Sequence, residues 1–291
     1  MKHNEIVTSV NNVIRQYDMP LTLRQIYYRL VAAGLIPNRR TSYNGLSAQL
    51  VTAREQREID ETRIVDRSRT ITDISFNTPG GFLDAAEYTI ENQFVRRFWA
   101  SQETYVEVWV EKDALSQVLA GAIRDTNTIV APSRGYSSYS YIRDAVNRFQ
   151  RNRGKASQVV ILHFADHDPS GIDMTRDLQT RFSSYSSASR FNVRVKRIAL
   201  TFDQVQEYDL IPNPTKATDS RTSQYEEQFG GECWELDAIE PNEMIRLVSE
   251  AVDAEITDRD AWEETKAQDA RERAEIKEHL TELREKFEDN Q

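Results

Sequence analysis

Three carboxylates and one phenol stand at positions where they could do chemistry together. Glu111 directly follows the apolar run YVEVWV (105–110), and Asp166 and Asp168 directly follow QVVILHF (158–164). Oxygen-only ligands of this kind suit Mg²⁺ or Mn²⁺, which take few carboxylates and keep several waters. Such an ion neutralises phosphate oxygens and stabilises a leaving oxygen. Asp173 is a further candidate ligand or a support for one. Singly, each residue has a plainer reading. Glu111 with Lys112 makes a surface ion pair, and aspartates are favoured in turns and at helix caps. Their arrival together at two strand ends favours the metal. His163 and His167 flank the aspartates, but with no third nitrogen or sulfur ligand nearby a histidine-held transition metal is not expected.

The phenol lies in LRQIYYRL (23–30). On a helical wheel Leu23, Ile26, Tyr27, Leu30 and Val31 share one apolar stripe, which assigns Tyr27 to a core. Tyr28 falls roughly 130° from the stripe centre and is expected to point outward, one turn after Arg24. A phenol is a weak nucleophile at neutral pH, but a neighbouring guanidinium favours the phenolate and can hold a phosphate. From the helix alone, an exposed tyrosine packing on its neighbour is the simpler reading.

The elements that must position these groups follow from hydrophobic spacing. Ile6, Val10, Val13, Ile14 and Tyr17 recur at helical intervals, and Asp18-Met19-Pro20 ends that helix. Thr22 is placed to cap a second helix running to about Ala33, with Gly34 and Pro37 beyond it. After SYNG (42–45) a third helix fits 46–58. Short helices with arginines between them fit a helix-turn-helix or winged-helix module. DISFNTPGGFLD (73–84) reads as a loop or wing, followed by a helix at about 84–98. From 105 onward strands and helices alternate: strands at 105–110, 128–132, 158–164 and 193–200, and helices at 113–124, 138–151 and 171–182. Near-continuous apolar strands in alternation with helices imply a parallel sheet covered on both faces. Ligands in such sheets bind beyond the carboxyl ends of the strands, where the three carboxylates fall. After a polar, proline-bearing stretch (209–231) comes a turn and helix, then a charged helix at 260–288 striped with Ile276, Leu280, Leu283 and Phe287. That stripe packs either on its own domain or on a second copy. The expected class is a multidomain α/β protein, divided into 1–100, 101–231 and an acidic helical extension, 232–291.

Composition narrows the partners. No apolar run approaches the ~18 residues a membrane span requires, and the amphipathic N-terminus is unlike a signal peptide, so a cytoplasmic location is expected. A single cysteine, Cys233, excludes an intrachain disulfide and a thiolate metal cluster. The net charge of −10 resides in the tail: residues 232–291 hold 20 acids and 8 bases, the remainder 27 acids and 29 bases. Residues 19–54 hold five arginines and no acid, so Arg29, Arg39, Arg40 and Arg54, with Arg24, form a local basic field suited to DNA phosphates. An ordinary solvated arginine face accounts for the same charges. No GxxxxGK[ST] loop occurs, and GYSSYS (135–140) is not a dinucleotide fingerprint.

TLRQIYYRL (22–30) resembles the catalytic-tyrosine motif of the topoisomerase VI A subunit and its relative, the meiotic double-strand-break transesterase. VWVEKDAL (108–115) and FADHDPSGIDM (164–174) are similar to the glutamate and DxD motifs of the Toprim domain that follows in that family. SRGYSS (133–138) sits where the family has a Gly-Tyr loop, and WELDAIEP (234–241) more loosely resembles its C-terminal part. The resemblance covers roughly residues 5–250. It implies a winged-helix domain presenting Tyr28 with Arg24 assisting, and a Toprim domain in which Glu111, Asp166 and Asp168 hold Mg²⁺ or Mn²⁺. It implies a homodimer that cuts double-stranded DNA through 5′-phosphotyrosyl links. The short N-terminal segment before Tyr28 and the lack of an ATPase domain make the chain similar to compact standalone forms of the A subunit. An ATPase subunit would then be a separate chain or be missing, and cleavage would be independent of ATP. Two alternatives remain: a Toprim nuclease acting by hydrolysis, and a DNA-binding relative without catalysis.

Overall fold

The computed structural model describes residues 3–65, 78–92, 95–186, 191–214 and 221–288. The chain is α/β, with eleven α-helices among the described residues and a four-stranded, all-parallel sheet. In the N-terminal module, α1 (His3–Ile14) buries Ile6, Val10, Val13 and Ile14 along one face. β1 (Leu21–Thr22) leads directly into α2 (Leu23–Ala32), which opens on a complete capping box. Thr22 Oγ1 accepts the Gln25 N–H, and the Gln25 side chain accepts the Thr22 N–H. The helix stops before Gly34, whose φ of +68° is a conformation glycine adopts without strain. α3 (Arg40–Glu55) begins well before the expected 46 and absorbs SYNG. Tyr43 packs edge-on against Tyr27 at 5.3 Å and lies under the Arg24 guanidinium, so tertiary contact overrides the local turn tendency. Residues Leu21, Ile26, Leu30, Leu46 and Leu50 centre this core, which the short parallel pairing of β1 with β2 (Ile64–Val65) closes. Residues 73–77 of the expected wing lie outside the described residues, while 79–84 belong to α4 (Pro79–Asn92) and not to a loop, so this helix starts and ends earlier than the expected 84–98.

The sheet comprises β3 (Thr104–Val110), β4 (Ile129–Pro132), β5 (Gln158–Phe164) and β6 (Asn192–Ala199) in the order β4-β3-β5-β6. Its crossovers are α5 (Asp113–Ala122), α6 (Tyr139–Asn152) and α7 (Pro169–Ser186). β3 is buried along its whole length, as a strand covered on both faces must be. Tyr105 and Trp109 on one face meet Phe149 and Tyr141 of α6 and Phe182 of α7.

Beyond the sheet run α8 (Phe202–Glu207), β7 (Asn213–Pro214), α9 (Thr222–Phe229), β8 (Glu232–Cys233) and α10 (Pro241–Asp253). The packing continues across 231, where the extension was expected to begin. β8 pairs antiparallel with β7, and Trp234 exchanges both backbone hydrogen bonds with His167. Leu236, Ile239, Met244, Val248 and Val252 belong to the same core as the sheet. Finally α11 (Arg259–Glu288) packs on its own chain. Trp262 sits against Phe98 and Trp99 at 5.5 and 4.9 Å, and Arg284 pairs with Asp84 of α4. Ile276 and Leu283 of the expected stripe stay exposed, and the Phe287 side chain lies outside the described residues. No helix among the described residues is long and apolar enough to cross a membrane.

Candidate active site

The chain passes from β3 to β4 on one side of the sheet, then crosses back to β5 on the other. In an open parallel sheet the strand order reverses at such a point, and a crevice opens past the strand ends. Glu111 and Asp166 occupy that crevice on the paired neighbours β3 and β5. Glu111 Oε2 accepts the Asp166 N–H at 3.0 Å. Burial first, then the Asp166 carboxylate, raises Glu111 to about 7, and Asp168 adds to the rise. Asp168 heads α7, where its Oδ1 accepts from Ser170 Oγ at 2.8 Å and the Gly171 N–H at 2.6 Å, so it does cap a helix. Gly171 has a strict reason to be glycine: a Cβ there would stand 2.1 Å from the Asp166 carbonyl oxygen.

Lys112 ties this edge to the rest of the molecule. Its Nζ lies 2.8 Å from Asp166 Oδ1, 2.7 Å from Asp237 Oδ2 and 3.1 Å from Glu235 Oε2. Burial works against its charge, yet Asp166, Asp237 and Glu235 hold it well above the ordinary lysine range. Asp166 Oδ1 also accepts the Leu236 N–H at 2.7 Å, and Asp237 Oδ1 accepts from Thr22 Oγ1 at 3.2 Å. Glu235 in turn pairs with Arg24. The tyrosine helix is thereby docked over the carboxylate edge. A cleft of about 480 Å³ opens between them, lined by Arg24 and Tyr43 on one side and Glu111, Lys112, Asp113 and Arg134 on the other.

Tyr28 departs from expectation. It is 3 % exposed, not outward-facing, because the segment containing Asn213 covers that side of α2. Asn213 Nδ2 donates to the Tyr28 hydroxyl at 2.9 Å. Burial, then the Glu235 carboxylate, pushes the phenol further up, against the pull of Asn213, Arg24 and Lys112. In this arrangement Arg24 serves Glu235 and does not generate a phenolate. Tyr27 is a core residue as expected; its hydroxyl accepts the Arg39 N–H at 2.8 Å and donates to Asn38 Oδ1 at 3.0 Å.

The remaining candidates divide. Arg39 and Arg40 are exposed beside the cleft-forming helices. Arg29 is committed to the protein: its Nη2 donates to the Ala238 carbonyl at 2.6 Å. Arg54 Nε donates to the Leu50 carbonyl of its own helix at 3.3 Å. Asp173 turns to Arg176 at 2.6 Å and to the Tyr136 hydroxyl at 2.5 Å, away from a ligand role. Both flanking histidines are buried and neutral. Burial and then Arg197 lower His163 to about 3 and His167 to about 4.

Among the described residues no three His, Cys, Asp or Glu side chains are grouped closely enough to hold an ion. The donor chemistry of Glu111, Asp166 and Asp168 nonetheless fits a hard divalent cation. It is oxygen alone, and the burial and carboxylate repulsion that together lift Glu111 are what such a cation would offset. Lys112 supplies the positive charge at Asp166 here. Lys112 is a largely buried partner of Asp166, Asp237 and Glu235 and not the surface partner of Glu111 that its place in the sequence suggested, and Glu235, Asp237 and Arg197 were not among the expected site residues. The three basic residues of the strand VRVKRIAL (193–200), Arg194, Lys196 and Arg197, were the available signal for Arg197, and the acids of WELDAIEP (234–241) for Glu235 and Asp237. Comparison of the chain with family models, with curated proteins and with solved structures gave no match.

Proposed function

We propose that this chain is a DNA-cleaving and rejoining transesterase of the topoisomerase VI A-subunit kind, its N-terminal module a winged helix and its sheet a Toprim domain. The observation that supports it most is the docking of the tyrosine helix over the switch-point carboxylates, which brings Arg24 and Glu111 into one cleft. The Tyr28 oxygen attacks a phosphodiester of double-stranded DNA. A 5′-phosphotyrosyl bond forms as the 3′ oxygen leaves as a hydroxyl. Two copies act together, one on each strand, with an ATPase subunit as a separate partner where one exists. Glu111, Asp166 and Asp168 hold Mg²⁺ or Mn²⁺, which when bound neutralises phosphate oxygens. Arg39 and Arg40, exposed on the N-terminal module, meet the DNA backbone. Without the ion Glu111 is held near 7 by burial and by Asp166, so a cation there competes with a proton at neutral pH. Attack requires α2 to leave Asn213 and Glu235 to release Arg24, so the arrangement described is a closed one.

One observation favours a second reading. Tyr28 is buried while Glu111 faces the cleft, as in a nuclease that cuts by hydrolysis. The experiment that separates them incubates the protein with supercoiled plasmid and Mg²⁺ or Mn²⁺, stops with detergent, and compares samples with and without protease. Linear DNA carrying protein at its 5′ ends, absent with Tyr28→Phe, is the expected result. Cutting that survives Tyr28→Phe and leaves free ends makes the chain a hydrolytic nuclease. Retention without cutting, at low and high salt, makes it a DNA-binding relative.

A further inference from the structure

The guanidinium of Arg197, on β6, has five N–H donors, and each meets an acceptor. Nε donates to the Leu200 carbonyl at 2.9 Å. Nη1 donates to the Gly171 carbonyl at 2.8 Å and to Thr175 Oγ1 at 2.8 Å. Nη2 donates to the Ala165 carbonyl at 3.1 Å and to the Asp166 carbonyl at 2.6 Å. Four of the five acceptors lie on the β5–α7 loop or the first turns of α7, the stretch that carries Asp166 and Asp168. No donor is left over for a substrate, and none is spent on a carboxylate oxygen.

We infer that Arg197 is a positioning residue: it clamps the β5–α7 loop so that Asp166 and Asp168 face the β3–β5 crevice in one fixed geometry. The value of this clamp to function rests on reading the carboxylates as a cation site. A second feature argues for the same rigidity. The Asp166 carbonyl lies so close to Gly171 that a Cβ there would stand 2.1 Å from its oxygen. Thr175, one of the acceptors, is itself fixed by His163 Nδ1 at 2.8 Å. A planar fork of five donors can hold four loop groups at once; a lysine, with three donors on a flexible stem, cannot. Groups standing behind metal ligands typically change ion affinity by about 10–100-fold when removed. Arg197 stands in that relation to Asp166 and Asp168.

The test uses the full chain as wild type, Arg197→Lys and Thr175→Val. Mn²⁺ affinity is read from the electron paramagnetic resonance signal of the free ion, and loop order from amide hydrogen exchange over 165–175. A thermal melt confirms folding. The expected result for Arg197→Lys is a cooperative melt, Mn²⁺ binding weakened about tenfold or more, and faster exchange confined to the loop. Thr175→Val removes a single acceptor and shifts both readouts the same way, with Mn²⁺ binding weakened about threefold. If Arg197→Lys does not fold, Thr175→Val decides alone. Wild-type affinity and wild-type exchange in a folded variant would overturn the inference and leave Arg197 as a space-filling core residue. Faster loop exchange in a protein whose wild type takes up no Mn²⁺ would keep the clamp and remove the cation reading instead.

Discussion

Glu107 and Glu111 belong to one strand and its exit, yet the fold treats them in opposite ways. Glu107 is 0 % exposed and completely partnered. It accepts from the Tyr105 hydroxyl at 2.9 Å, from Trp109 Nε1 at 3.0 Å, and from both arms of Arg148 at 2.8 and 2.7 Å. Glu111 is more open to solvent, but its neighbours are Asp166 and Asp168. Its side chain accepts one backbone N–H, and the nearest lysine is engaged with other carboxylates. A buried carboxylate with a bidentate arginine is a finished structural pair. One left among like charges stores repulsion that only a cation or a proton removes, and such frustration clusters at functional sites. The contrast teaches that burial alone does not mark a site; a carboxylate buried beside other carboxylates, with the nearby Lys112 and Arg197 bonded elsewhere, does.

Breaking the finished pair gives the largest effect. Arg148→Met leaves Glu107 buried without its counter-ion and is expected to cost about 3–5 kcal/mol in denaturant unfolding. Adding Glu107→Leu to Arg148→Met should recover much of that loss. A single-variant cost below about 1 kcal/mol would end the distinction between the two glutamates.

The unfinished site should respond with the opposite sign. The folded-state pKa of Glu111 is raised from the ordinary 4.5 to about 7. A raised carboxylate favours the fold fully only below the unfolded value, and that contribution is lost as pH climbs through 7. Glu111→Gln is therefore expected to stabilise the protein above pH 7 by roughly 2 kcal/mol, and little near pH 4.5. The same substitution should abolish any rise in melting temperature on adding Mg²⁺. Destabilisation by Glu111→Gln at pH 8 would show that Glu111 has partners like those of Glu107.

The smallest effect concerns where the counter-charges come from. Arg148 lies in the helix packed on the strand of Glu107, whereas Lys112 is linked to Arg24 of the N-terminal module through Glu235. Glu235→Gln should cost about 1 kcal/mol, less at high salt, because this pair is partly open to solvent. It should also speed hydrogen exchange in α2 more than in α6. Equal changes in both helices would mean that Glu235 does not join the modules specifically.

What the amino-acid sequence determined by itself was local or periodic. The alternation of apolar runs with helical stripes prescribed a parallel sheet, and Thr22 marked the start of the tyrosine helix, whose capping box Gln25 completes. The wheel placed Tyr27 inside, and the strand ends placed Glu111, Asp166 and Asp168 at one edge. These follow from side-chain period and capping, which act within a few residues. Only the tertiary structure decided that Tyr28 is covered, since its cover is Asn213, 185 positions away. It alone decided that Arg24 is held by Glu235, that Arg29 is spent on Ala238, and that residues after 231 complete the core. A wheel sorts one helix into a face toward its own core and a face away from it. It carries no information about a second surface that returns from far along the chain to close over the outer face.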